Sequence, residues 1–260
     1  MYNYLKTKIT VKIRGIINTK RENDFLKSHG FTRIQENNYI NVEGDYGKLT
    51  LRKKGSDWEV FKQIFQYHEY GPLVKALKLN GIVPNLILDL GANIGLTTIY
   101  LKKYHPEAEI ICVEPDINNF NQLSLNTIYL PNINLIHAAI WSKSTLLIED
   151  MPFRGGDDWS KSFREYPEDS SIPTVSGITI EEILKKHSKL EIDVLKIDVE
   201  GAERFIFDET SSNLSFLEVT KVIAIEIHDE FNIREKINNI LRNYNFTLFE
   251  SGELTIGIKK

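Results

Sequence analysis

From Asn85 onward, short β-branched apolar runs alternate with stretches in which apolar residues recur every three to four positions. A strand covered on both faces reads as a continuous apolar run, and its covering helix shows a single apolar stripe, so the alternation predicts parallel βαβ units. The strands are predicted at Leu86–Leu90, Ile110–Glu114, Ile133–His137, Val194–Asp198 and Val222–Ile227. Helices are predicted near Gly95–Tyr104, Ile117–Tyr129, Thr179–Lys186, Gly201–Asp208 and Ile233–Tyr244. Phe246–Glu250 and Leu254–Lys259, separated by Ser251-Gly252-Glu253, predict a hairpin that closes the sheet.

The first third follows another pattern. Tyr39-Ile40-Asn41-Val42 and Lys48-Leu49-Thr50-Leu51-Arg52 read as short strands around the turn formers Gly44, Asp45 and Gly47, a second hairpin. Ser56 or Asp57 can then cap a helix carrying Val60, Phe61, Ile64, Phe65, Leu73, Val74 and Leu77 on one face, with a break at Gly71-Pro72. Residues 1–80 are therefore expected to form a small α+β extension serving as lid or support, and residues 81–260 a doubly wound α/β domain. Within the latter, the polar stretch from Met151 to Pro173 is longer than an idle connection needs to be, which predicts an acceptor loop. Trp159 could stack there on a flat acceptor and Arg154 could grip an anionic group.

Composition narrows the field without choosing. With 260 residues, 42% of them hydrophobic, the chain can bury a large core. A formal charge of −4 offers no electrostatic reason to expect a nucleic-acid partner. No apolar stretch approaches the roughly 20 residues that span a bilayer, and Met1 to Arg14 lacks the apolar run and cleavage site of a leader, so neither a membrane nor secretion is expected. The expected location is the cytoplasm. The oligomeric state is open. The single Cys112, within Ile110-Ile111-Cys112-Val113, reads as a small hydrophobe in a strand.

The first candidate chemistry lies where Leu86–Leu90 runs through Gly91-Ala92-Asn93-Ile94-Gly95 into the helical Leu96-Thr97-Thr98-Ile99-Tyr100-Leu101. Glycine suits a sharp strand-to-helix turn at which the backbone approaches a ligand, and the helix start offers unpaired N–H groups. A dinucleotide site would carry G-x-G-x-x-G, yet counted from Gly91 the second glycine is Asn93 and the third is Leu96. Asp89 at the strand end suits a cationic ligand better than a pyrophosphate. Glu114 ends the next strand, roughly 20 residues beyond the turn, where an acid can accept hydrogen bonds from ribose hydroxyls. Pro115 and Asp116 then open the following helix.

A second constellation reads Val194-Leu195-Lys196-Ile197-Asp198-Val199-Glu200-Gly201-Ala202-Glu203. Alternation along a strand puts Lys196, Asp198 and Glu200 on one face. Burying such charges costs several kcal/mol per ion unless they are paired, so a mutual ion pair, a ligand or both must compensate. Ala224-Ile225-Glu226-Ile227-His228-Asp229 likewise places Glu226 and His228 at a strand end, the edge where open α/β sheets bind ligands.

Through Asp89-Leu90-Gly91-Ala92-Asn93-Ile94-Gly95, Val113-Glu114-Pro115 and Leu195 to Glu203, with Ile225-Glu226-Ile227-His228 as a fainter echo, the chain resembles the FkbM family of methyltransferases. Ser56-Asp57 and Tyr70 resemble that family's upstream segment, which implies that the N-terminal third contributes to the pocket. The resemblance implies a Rossmann-like class I methyltransferase sheet, S-adenosylmethionine as cofactor, and O-methylation of a hydroxyl on a sugar or secondary metabolite. The acceptor would be a small molecule or glycan. The cofactor residues are then expected to be Asp89, Gly91, Asn93, Gly95, Glu114, Pro115 and Asp198, the acceptor residues Arg154, Trp159 and Glu200, and the catalytic residues Asp198, His228 and Glu226. A hydroxyl acceptor needs a base. His228 or Asp198 can serve, with Glu226 orienting the ring, and a histidine base must act neutral, above a pKa near 6.5. No metal is expected, since no ligand-spacing motif is present, although Asp198, Glu226 and His228 together would suit magnesium or manganese. A nicotinamide-dependent oxidoreductase of the same fold and a non-catalytic adenosylmethionine-binding module are the competing readings.

Overall fold

All five side chains of β4 (Leu86–Leu90) and all six of β11 (Ile192–Ile197) are buried. That pattern requires cover on both faces of a sheet. The computed structural model describes residues 20–36, 39–150, 162–166 and 172–260. The chain divides after Lys54 into two compact units.

In the first unit, β1 (Phe31–Glu36), β2 (Tyr39–Gly44) and β3 (Gly47–Arg52) form an antiparallel sheet in the order β1-β2-β3. The expected hairpin is present, with Gly44 opposite Gly47 across the turn. Val42, Leu49 and Leu51 are buried on alternate positions. The division falls at residue 54, not near 80, so the helical segment expected in the extension belongs to the second unit.

The second unit is built on a seven-stranded sheet in the order β13-β14-β12-β11-β4-β5-β6. Its remaining members are β5 (Glu109–Glu114), β6 (Ile133–His137), β12 (Thr220–Glu226), β13 (Phe246–Ser251) and β14 (Leu254–Lys259). Strands β6, β5, β4, β11 and β12 run parallel, and the β13–β14 hairpin adds antiparallel to β12. This is the expected Rossmann-like layout. Winding runs outward from β4 through β5 to β6, then returns to the other side of β4 at β11, so order reverses between β4 and β11. Clefts for ligands open beyond the strand ends at such a switch point.

Three features depart from expectation. A four-stranded sheet in the order β7-β10-β8-β9 was not foreseen; it comprises β7 (Ala139–Ile140), β8 (Thr145–Glu149), β9 (Phe163–Glu165) and β10 (Thr174–Ile178). Strand β9 lies inside the expected acceptor loop, so that connection is not loop throughout. The helical segment begins at Asp57–Phe61, continues as a π-helical turn at Lys62–Gln66, and restarts at Gly71–Leu79. The expected break is present over residues 67–70, and Gly71-Pro72 opens the next helix, because in the first turn proline's missing N–H leaves no intrahelical bond unmade. Finally, the helix expected over Gly201–Asp208 is confined to Glu203–Ile206.

Candidate active site

The turn after β4 is fixed by backbone contacts before any side chain acts. Gly91 N–H and Ala92 N–H both donate to the Val113 carbonyl, at 2.9 and 3.0 Å. Gly91 has φ of 77°. A Cβ there would lie 1.7 Å from the Asp198 carbonyl oxygen, so the loop after β11 packs directly against this glycine. Gly95, the residue before the helix Leu96–Tyr104, has φ of 86° and backs onto Leu123. It forms the turn and is not part of the cleft wall.

Glu114 closes the turn from β5. Its two oxygens accept from Asn93 N–H at 2.8 Å and Asp116 N–H at 2.9 Å. Burial pushes its carboxyl up to about 7 against the pull of those two N–H groups. Asp116 in turn caps the helix Ile117–Thr127 by accepting from Asn118 and Asn119 N–H. Glu114, Pro115, Asn93 and Gly91 all line one cleft, which also takes in Val113, Ala138, Ala139, Ile140 and Trp141.

At the floor of the cleft lies the paired charge that the sequence required, with Lys196 and Asp198 in its lining. Lys196 Nζ is 3.1 Å from Asp89 and 3.6 Å from Asp198, and it donates to the Gly91 carbonyl at 2.6 Å. Burial pulls the ammonium down, but Asp89 and Asp198 outweigh it and hold it above the ordinary lysine value. Asp89 is fully buried and accepts from Thr98 Oγ1 at 2.6 Å. It lies outside the cleft lining, so the structure places it below the turn as the counter-ion of Lys196, not facing a ligand.

Asp198, Glu200 and Glu226 line the cleft, as expected of residues at the strand ends. They are joined by Glu69 and Tyr70, from the turn between the helical segments, and by Glu253 from the β13–β14 turn. Burial first, then the charge of Asp198, pushes Glu69 up to about 7 and Glu226 up to about 9. The same two causes raise the Tyr70 phenol well above its ordinary value. Among the described residues, two sets of side chains bring ligand atoms within 4.8 Å of one another: Asp198, Glu226 and His228, and Glu69, Glu226 and Glu253.

His228 is where expectation fails most clearly. The residue is 1% exposed and does not line the cleft. Its Nε2 lies 3.1 Å from Glu200 and 3.7 Å from Glu226, and its Nδ1 2.9 Å from Glu203. Burial disfavours the imidazolium, but the hydrogen bonds to Glu200 and Glu203 prevail and push it up to about 11. A ring held charged between carboxylates is not a neutral base near pH 7.

The family model described as the Methyltransferase FkbM domain matches residues 89–248, more than half of the chain. The chain belongs to the FkbM methyltransferase family. The match takes in the strand-end residues Gly91, Glu114, Asp198, Glu200, Glu226 and His228, but not Glu69, Tyr70 or Glu253 from the neighbouring turns. Methyltransferase sdnD from Sordaria araneosa is 24% identical over 219 residues, covering 73% of this chain and 82% of that protein. Among solved structures, an FkbM methyltransferase from Methylobacillus flagellatus KT shares 16% identity at a TM-score of 0.40, over 67% of this chain and 43% of that one. A fibrillarin from Aeropyrum pernix in complex with natively bound S-adenosyl-L-methionine shares 11% identity at a TM-score of 0.35, over 66% and 65% of the two chains.

Arg154 and Trp159, the expected acceptor contacts of this FkbM methyltransferase, lie outside the described residues. Glu69 and Glu253 escaped sequence reading because each sits in a turn without periodicity, His68-Glu69-Tyr70-Gly71-Pro72 and Ser251-Gly252-Glu253. Nothing local distinguishes them from solvated turn acids. The only available signal was the implied contribution of the segment around Tyr70. Among the described residues, no helix is long and apolar enough to cross a membrane.

Proposed function

We propose that the chain is an S-adenosylmethionine-dependent methyltransferase that methylates a hydroxyl on a small-molecule or glycan acceptor, such as a sugar or secondary metabolite. One observation carries the reading: Glu114, buried at the end of β5, faces the same cleft as the Gly91 turn while its oxygens brace that turn through Asn93 N–H. The carboxylate keeps lone pairs for ribose hydroxyls. The residues present fit the cofactor on a second count, since the acidic side chains of Glu69, Asp198 and Glu226 line one cleft, where its ammonium and sulfonium charges would favour their ionised forms.

When bound, S-adenosylmethionine supplies an electrophilic methyl group for in-line displacement. The chain then has three tasks. Glu114 and the Gly91 turn fix the adenosyl end, the apolar wall from Ala138 to Trp141 excludes water, and a cleft carboxylate takes the proton that leaves the acceptor hydroxyl. With His228 committed to Glu200 and Glu203, the proton acceptor is Asp198 or Glu69. Glu69, pushed up to about 7, is poised to exchange a proton near neutral pH.

Calorimetry with S-adenosylhomocysteine and with NADH tests the assignment. The wild type should bind the former and not the latter. Glu114→Ala should weaken binding by about 1.5–3 kcal/mol, the scale of a hydrogen bond to a charged group. Binding of NADH alone, or unchanged S-adenosylhomocysteine affinity in a folded Glu114→Ala protein, would overturn it.

A further inference from the structure

The loop leaving β11 is held in an unfavourable backbone. Glu200 has φ of 49° and Gly201 φ of 88°, two left-handed residues in succession. For a residue with a side chain that conformation costs about 1–2 kcal/mol, so the surroundings must impose it. Only glycine fits at 201, where a Cβ would meet the Phe231 ring at 2.5 Å. The consequence reaches the cleft, because this loop seats the Asp198 carbonyl against Gly91 and presents Asp198, Val199 and Glu200 to the cavity.

His228 ties the loop from the neighbouring strand. One ring nitrogen meets Glu200 within the left-handed segment, and the other meets Glu203, which is fully buried at the start of the next helix. The same Glu203 oxygen accepts from Val199 N–H at 3.4 Å. Nδ1 hydrogen-bonds Glu203 at 2.9 Å and Nε2 stands 3.1 Å from the Glu200 carboxylate, so the charged ring pairs with both acids at once. Charged groups face the ring from each neighbouring element: Glu200 from the loop, Glu203 from the helix, Glu226 from β12, and Asp198 within the same cluster. His228 itself has no face on the cleft. Its influence on any ligand must pass through Glu200 and the loop backbone.

We propose that His228 is a positioning residue for the cofactor cradle: by bridging Glu200 and Glu203 it holds Glu200–Gly201 in the left-handed backbone that sets Asp198 against the Gly91 turn. The proposal rests on the cleft being the adenosylmethionine site, and its test separates the two claims. In His228→Ala, the dissociation constant for S-adenosylhomocysteine should rise by about tenfold or more, as expected from losing the hydrogen bond to Glu203 and the ion pair to Glu200. Amide hydrogen exchange of Val199 to Ala202 should quicken by a similar factor, while the acceptor KM moves little. His228→Gln, which keeps one donor group, should recover part of both effects; it also serves if the alanine variant does not fold.

Three results would overturn the proposal. A collapse of kcat with unchanged S-adenosylhomocysteine affinity would return His228 to the role of base. A lowered Tm with unchanged affinity and unchanged loop exchange would make it a packing residue only. If the wild type does not bind S-adenosylhomocysteine, the cofactor reading fails, and loop exchange then decides the clamp alone: equal exchange in wild type and His228→Gln refutes it.

Discussion

Two groups of charged side chains serve one cleft, and they are satisfied in opposite ways. Below the Gly91 turn, Asp89 and Asp198 share Lys196, whose ammonium also holds the Gly91 carbonyl. Around the cleft, Glu69, Glu226 and Glu253 face one another, and burial together with Asp198 drives Glu69 and Glu226 towards their neutral forms. The first group is held together by Lys196 and fixes backbone, while its Asp198 also reaches the cleft. The second stores electrostatic cost at the surface where a cationic cofactor and an acceptor proton would be handled. Perturbed groups of that kind, in a cleft, are what functional sites contain.

Breaking the first group should give the largest effect. Lys196→Met leaves Asp89 buried opposite no cation, and the loss of one partner of a buried pair costs about 3–5 kcal/mol. Urea denaturation should show that loss, and adding Asp89→Asn to Lys196→Met should recover much of it. A Lys196→Met protein destabilised by less than about 1 kcal/mol would mean that the pair contributes little, as exposed pairs do.

Gly91→Ala asks whether the paired group exists to hold the turn. The added Cβ must displace the Asp198 carbonyl and adopt a left-handed φ. Together these should cost about 2–4 kcal/mol. S-adenosylhomocysteine binding should be lost even at a temperature where the variant stays folded. Retained affinity in the folded variant would separate the turn from the cofactor site and collapse the contrast between the two groups.

The paired group was largely legible in the sequence; the other was not. Lys196 and Asp198 announced themselves by standing in an apolar strand, where charge demands compensation, and Gly91 and Glu114 by their register on a βαβ pattern. Periodicity also located every strand of the large sheet, since parallel strands carry continuous apolar runs. It failed for β7 to β10, which are two to five residues long and in which β10 alternates exposed and buried positions beside polar chain. Likewise Glu69 and Glu253 reach the cleft only through tertiary folding of turns. His228 was found but misread, because sequence placed it beside Glu226 and could not show Glu200 and Glu203 closing on its two nitrogens.

The expectation that most sharpens the comparison comes from Glu69→Gln. Its carboxyl is pushed up to about 7 in the folded protein, against an ordinary value near 4.5, so folding favours the protonated form. The stabilising contribution of the neutral carboxyl is complete at low pH and is lost as pH rises towards and through about 7. Glutamine keeps the shape without the charge. At pH 8 the variant should therefore be more stable than wild type, on the order of 3 kcal/mol from a shift of 4.5 to about 7 at about 1.4 kcal/mol for each pKa unit, and the gain should fade as pH approaches 4.5. Activity should move the other way. If Glu69 takes the acceptor proton, wild-type turnover falls as pH drops through about 7, and Glu69→Gln loses both that dependence and roughly 10²–10⁴-fold in rate. A variant that gains stability at pH 8 but keeps the wild-type pH profile assigns the proton to Asp198, leaving Glu69 to the cofactor's positive charge. A variant with no gain at pH 8 would show that Glu69 carries no electrostatic cost, and the distinction between the two groups would fall.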